Sequence, residues 1–313
     1  MSGLRLVHDI GTGIAVHDDG VELMRYTYQP DTPQLESPKP FVHPLRTRAG
    51  RMTSLFRPHD HVWHKGIAWS LPVVDDENFW GGPTYVHGQF YVQLENDGTQ
   101  QHLRVESADT DGETATFAHQ LEWIAQNGTR MFTERRRLTI RILSDAAWAL
   151  TVETAMTNVT GASIFIGSPT TRGRENAGYG GLFWRGPRSF TGGQLVTATG
   201  TGSGSDVRGQ RHEWMAFAGR HDVDDASSVI VIVDHRENPH HPPQWFARSE
   251  EFAALNPAPF FSEELEVPAG DTVAFRYGVG IADAEAADAA SLAEAVRGAL
   301  AEAVAGALAG ALS

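Results

Sequence analysis

Three histidines, an aspartate, a lysine and a tryptophan fall within the run Arg57-Pro58-His59-Asp60-His61-Val62-Trp63-His64-Lys65-Gly66. Imidazole changes charge near neutral pH, so the cluster suits general acid–base work, with Asp60 or another carboxylate orienting a ring. The H-x-H spacing equally suits a divalent metal held by His59, His61 and His64. The chain has no cysteine, so metal ligands here would be nitrogen and oxygen alone. On an extended strand His59 and His61 share a face and His64 takes the other. A turn after His61 would bring His64 back beside them. The plainer role is packing, with the rings bonded to backbone and laid against Trp63 and Trp69.

Two further segments carry chemistry-bearing residues. Asp234-His235-Arg236-Glu237-Asn238-Pro239-His240-His241-Pro242-Pro243 follows an apolar run, and strand ends are where scaffolds often place functional groups. The segment 170–186 holds Arg172, Arg174 and Arg185 as fork-shaped donors, Glu175 as a carboxylate partner for a histidine, and Tyr179, Phe183 and Trp184 as stacking surfaces. Its glycines at 178, 180 and 181 would let backbone approach a ligand. The G-x-G-G there lacks the P-loop lysine and the strand–helix setting of a dinucleotide site, which excludes nucleotide binding. No G-x-S-x-G, HExxH or EF-hand loop occurs, which disfavours a serine triad, a zincin and a calcium sensor. Candidate acid–base residues are therefore His59, His61, His64, Glu175 and His235. Candidate substrate contacts are Trp63, Lys65, Trp80, Arg172, Arg174, Tyr179, Trp184 and His241.

Strands must position these groups. Residues 4–8, 13–17, 21–28, 90–96, 114–125, 130–143, 147–158 and 227–235 read as strands, and 260–282 as two strands around a turn at 268–271. In 130–143, Phe132, Leu138, Ile140 and Ile142 alternate, with arginines expected on the opposite face. Asn96-Asp97-Gly98, Asp111-Gly112 and Asn127-Gly128 are hairpin turn signals. The unbroken apolar run 227–235 predicts a strand buried on both faces. Residues 198–210 read as a flexible loop. The tail places Leu292, Val296, Leu300, Val304, Leu308 and Leu312 four residues apart, one apolar ridge on a helix. That ridge would pack on the sheets or, alternatively, form a homodimer. The expected architecture is all-β, a large antiparallel β-sandwich over 1–285 followed by a helical tail over 286–313.

Composition narrows the partners. With 25 basic and 39 acidic residues the formal charge is −14, which repels phosphate backbones and anionic membranes. Lys39 and Lys65 are the only lysines. The start, MSGLRLVHDI, lacks a signal-peptide pattern, and no apolar run reaches a membrane span, so a cytoplasmic location is expected.

The ordered segments His43-Pro44-Leu45, Arg57-Pro58-His59-Asp60-His61, His64-Lys65-Gly66, Trp69 and Asn78-Phe79-Trp80-Gly81 together resemble the PmoA-like family, a domain of unknown function. Phe132-Thr133-Glu134-Arg135-Arg136, Glu175-Asn176-Ala177-Gly178-Tyr179-Gly180-Gly181, Trp214-Met215-Ala216-Phe217-Ala218-Gly219, Asp234 to His240 and Asn256-Pro257-Ala258-Pro259-Phe260 extend the likeness over about residues 5–282. The label points to a membrane-bound methane monooxygenase, which a chain without a transmembrane run does not fit. The resemblance implies proteins that accompany sugar oxidoreductases and a galactose-mutarotase-like supersandwich. In mutarotase-like enzymes histidine and glutamate on the concave sheet act as acid and base, which here implies His59, His61 or His64 with Glu175 or His235. The expectation is a carbohydrate-active enzyme (epimerase, lyase or hydrolase) that needs no cofactor. A histidine-ligated metalloenzyme and a non-catalytic sugar-binding accessory protein are the alternatives.

Overall fold

The computed structural model describes residues 3–310, with backbone alone for 308–310. Two large antiparallel sheets form the expected sandwich. One has eight strands, in spatial order Arg5–Asp9, Gly13–Asp18, Val21–Thr27, Phe41–Leu45, Ile67–Ser70, Gly181–Arg185, Ala254–Ala258 and Gln244–Arg248. The other has nine: Gly200–Gly202, Gln194–Thr197, Trp214–Arg220, Ser227–Asp234, Thr272–Asp283, Ala147–Asn158, Arg130–Ser144, Thr114–Ile124 and Thr99–Thr110. One hydrophobic core fills the space between them.

Period-two patterning explains most of this packing. Along Arg130–Ser144, Phe132, Leu138 and Ile140 enter the core while Arg135, Arg137 and Arg141 face outward. Arg136 breaks the expected segregation, being only 2% exposed on the core side. Glu134, two residues earlier on the same face, holds it through bonds of 2.7 and 2.8 Å. Trp123 Nε1 and Thr154 Oγ1 each donate to that carboxylate at 2.7 Å. A pair removed from water this fully is tolerable only when its remaining polar atoms find partners as well.

Ser227–Asp234 is covered on both sides, as its unbroken apolar run predicts. Ile230 and Ile232 belong to the inter-sheet core, while Val229, Val231 and Val233 lie beneath the helix Ala289–Gly310. That helix lays Leu292, Val296, Leu300 and Val304 on the outer face of the nine-stranded sheet, so its own sheet occupies the ridge that a dimer would need. Glycine makes the approach close enough: a Cβ on Gly278 or Gly280 would lie 2.6 or 2.5 Å from Val296. Leu312 and the side chain of Leu308 fall outside the described residues.

Some elements differ from expectation. Residues 198–210 carry regular structure, with a strand at Gly200–Gly202 and a single helical turn at Gly204–Val207. Asp206 caps that turn by accepting from the Ser203 backbone N–H at 2.8 Å, and Val207 plugs into the core. Phe260 to Glu264 forms a turn, and the strands of that region are Leu265–Val267 and Thr272–Asp283. In 90–96 only Phe90–Val92 is strand, pairing with Thr84–Val86 as a separate hairpin.

Candidate functional site

Strand alternation at the Gly181–Arg185 end of the eight-stranded sheet sends neighbouring rings to opposite sides. Leu182 and Trp184 enter the core, whereas Phe183 emerges on the outer face beside Trp80 and Ala254. Gln244–Arg248 repeats the arrangement, with Trp245 and Ala247 inward and Phe246 outward. The loop 57–66 folds across this outer face. Together they enclose a cavity of about 500 Å³, within the range of small-molecule sites, walled by Trp63, Trp80, Tyr179, Phe183, Phe246 and Phe252. Polar side chains at its margin are Asp60, His61, His64, Tyr91, Arg174, Arg248 and Glu251.

Loop 57–66 is made of successive turns, closed by His61 N to Pro58 O at 3.0 Å and His64 N to His61 O at 2.9 Å. His64 therefore does turn back, and its ring stacks on His61 with centroids 4.7 Å apart and planes 16° from parallel. His61 Nδ1 donates to Asp60 Oδ2 at 2.8 Å. With Nδ1 carrying the proton, Nε2 is left as an acceptor, and among the described residues no hydrogen bond occupies it. Asp60 also meets Arg188 at 2.7 Å and Arg185 at 3.6 Å. Burial works against its charge, but the His61 and Arg188 bonds and the nearby Arg185 outweigh burial and hold the carboxyl well below the usual range.

Beneath these groups the side chains are buried. Burial, reinforced by His61 and Arg185, keeps the His64 imidazole well below its ordinary pKa, so this ring is neutral. Arg185 is only 1% exposed in its side chain and lies flat on Phe252 at 3.6 Å. Burial lowers it to about 10 despite Asp60. Tyr179 Oη and Tyr91 Oη share a hydrogen bond of 2.9 Å, and burial followed by that neighbour pushes the Tyr179 phenol well above its usual value. It stays protonated, and either hydroxyl of the pair can donate.

Of the expected residues, the cavity gathers His61, His64, Trp63, Trp80, Arg174 and Tyr179. Others it does not. His59 points outward, 86% exposed, with Nδ1 on Arg188 at 3.1 Å. Glu175 is an exposed loop residue and lines no part of the cavity; the carboxylate bonded to His61 is that of adjacent Asp60. His235 caps its own turn through the Glu237 N–H at 3.3 Å, and His241 bonds Asp234 at 2.6 Å; both serve the loop after Ser227–Asp234. Arg172 braces Asp75 O at 2.9 Å and faces Glu264. Trp184 is core, its Nε1 bonded to Thr53 O at 2.9 Å. Lys65 is buried against Glu36 and between Phe41 and Phe56. Gly178 packs on Phe261, where a Cβ would lie 2.1 Å from the ring, so it serves packing rather than a ligand.

The three clustered histidines do not converge as metal ligands. One points to solvent, one has Nδ1 committed to Asp60, and His64 Nδ1 faces the Arg185 guanidinium at 3.4 Å. Among the described residues no group of three or more His, Asp or Glu is placed to hold a metal ion. Sequence reasoning missed Tyr91, Phe246, Arg248, Glu251 and Phe252. The one available signal was the adjacent Trp245-Phe246 pair, which on a strand must split between core and surface.

Fold and site together define a large antiparallel β-sandwich with an aromatic-walled cavity on one outer face. The chain belongs to the family of unknown function DUF6807, whose model matches residues 13–297. The match carries no methane-oxygenase description, and no observation supports the PmoA-like name. No curated protein matches the chain. Among solved structures it is similar to two of heparinase III (10% identity, 91% of this chain and 35% of theirs, TM-scores 0.34 and 0.36). It is also similar to a GalM/aldose epimerase homologue from C. elegans (8% identity, 91% and 100% covered, TM-score 0.31). A galactose 1-epimerase from Lactobacillus acidophilus NCFM is a further likeness (10% identity, 91% and 99% covered, TM-score 0.32). The chain spans about a third of the length of the heparinase III structures. At these TM-scores the likenesses bear on neither substrate nor mechanism. No described helix is long and apolar enough to cross a membrane.

Proposed function

We propose that the outer-face cavity binds a sugar or glycoside and that His61, oriented by Asp60, moves a proton on it. The observation that carries this is the 2.8 Å Asp60–His61 bond at the margin of a cavity walled by six aromatic rings. Aromatic faces take the apolar side of a pyranose, and Arg174, Arg248 and the tyrosine hydroxyls supply hydrogen bonds for its rim. Asp60, held ionised, fixes the imidazole orientation and stabilises the cation formed when Nε2 takes a proton. Tyr179, kept protonated by burial, is the complementary donor in the place first assigned to Glu175.

Saturation-transfer NMR against a panel of aldoses, ketoses and methyl glycosides tests the binding. A bound sugar whose signal disappears in W80A supports the reading. No sugar bound, or binding indifferent to W80A and F246A, contradicts it.

A further inference from the structure

Resting on the reading of this cavity as a sugar site, we infer that its ligand is an anionic sugar, bearing a carboxylate or a sulfate ester, gripped by Arg174 and Arg248. The chain as a whole carries −14, with acids outnumbering bases 39 to 25. The cavity does not share that acidic excess: Arg174 and Arg248 line it against two carboxylates, Asp60 and Glu251, with Arg185 buried beside Asp60. Asp60 is already committed to His61, Arg185 and Arg188.

Arg174 has no carboxylate within ion-pair distance among the described residues. Its protein partners are the Tyr91 hydroxyl and the rings of Tyr91 and Phe90, at 4.6 and 5.3 Å from the guanidinium carbon. Arg248 lies near Phe246 and Phe252 at 5.3 and 5.6 Å, and its one carboxylate among the described residues, Glu251, is 61% exposed. A pair so open to water exchanges readily for a better partner. Ring contact occupies the face of a guanidinium and leaves its edge, where the forked N–H donors lie, for an oxyanion. Both cations act on Tyr179, the donor in the same cavity. A third arginine, Arg208, approaches Phe246 at 5.6 Å. A neutral hexose offers no counter-charge to such a set, whereas one carboxylate or sulfate group does.

Calorimetric titration of the full chain tests this with methyl glycosides of glucose, galactose and mannose, each as the neutral sugar, the uronate and the 6-sulfate. The inference predicts at least tenfold tighter binding of one anionic form than of its neutral parent. The preference should shrink at high salt and fall towards unity in R174Q and in R248Q. Comparing uronate with sulfate identifies the anion. Neutral glycosides bound as tightly as both anionic forms overturn this inference while leaving the sugar reading intact. A chain that binds none of the panel overturns both.

Discussion

The His61 ring lies 4.7 Å from that of His64 and nearly parallel to it, yet only His61 touches a carboxylate. The buried ring of the pair is neutral and supports the outer one, which Asp60 orients. One consequence concerns Asp60 and Arg185. Asp60→Asn weakens the alignment of His61 and leaves the Arg185 guanidinium without its nearby charge. Turnover should fall roughly 10²–10⁴-fold. A double-mutant cycle of D60N with R185M, followed by denaturant unfolding, should give a coupling of about 1–3 kcal/mol. Coupling near zero would show that the 3.6 Å approach of Arg185 to Asp60 contributes nothing.

The two lysines of the chain brace the cavity from behind. Lys39 Nζ donates to Glu36 O at 2.8 Å and Trp80 O at 2.8 Å, while Lys65 pairs with the Glu36 carboxylate. Lys65→Met strands a buried carboxylate with only the partly exposed Arg57. It should cost about 3–5 kcal/mol in unfolding free energy, and E36Q/K65M should recover much of that. A K65M protein of unchanged stability and no activity would instead return Lys65 to the substrate contacts.

Asp97 gives a pH signature. Burial raises it from the usual carboxylate value to about 6, against the bond from Gln93. For an acid with a raised folded pKa, the native state binds the extra proton between the unfolded value near 4 and about 6. Its favourable contribution is present below that window and is lost as pH rises through it. Asp97→Asn should therefore be more stable than the parent at pH 8, by up to roughly 3 kcal/mol, and no more stable at pH 3.5. Thermal melts at both pH values check the sign, and a D97N protein less stable at pH 8 would contradict it.

The C-terminal helix is part of the packing on the nine-stranded sheet. Leu300→Ala should cost about 2–5 kcal/mol, because Leu300 is 2% exposed between helix and sheet. Urea unfolding checks the loss, and a cost under 1 kcal/mol would mean that the helix detaches freely.

The sequence told most where one physical signal was strong. The 227–235 run announced a strand buried on both faces and the four-residue ridge a packed helix, and in the structure the helix covers that strand. Thr99–Thr110 went unseen because it is an edge strand, TQQHLRVESADT, with little apolar alternation to betray it. The strands that line the cavity, Gly181–Arg185 and Gln244–Arg248, are short and carry aromatic residues on both faces. Their period is invisible over five residues. Of the histidine cluster, His61 and His64 line the cavity and His59 does not. Glu175 and His235 did not join it, because proximity in three dimensions depends on strand order, which spacing along the chain does not encode. Arg248 and Phe252 arrive from a segment nearly 190 residues away from His61 for the same reason.

The most direct test of the central claim is steady-state turnover by His61→Gln on whichever sugar or glycoside the wild-type chain converts. Circular dichroism and the melting temperature monitor the fold alongside it. H61Q should keep both while losing roughly 10²–10⁴-fold in kcat, and H59A, altering an exposed ring outside the cavity, should lose little. Full turnover in a folded H61Q protein would contradict the assignment of His61 as the group that moves the proton.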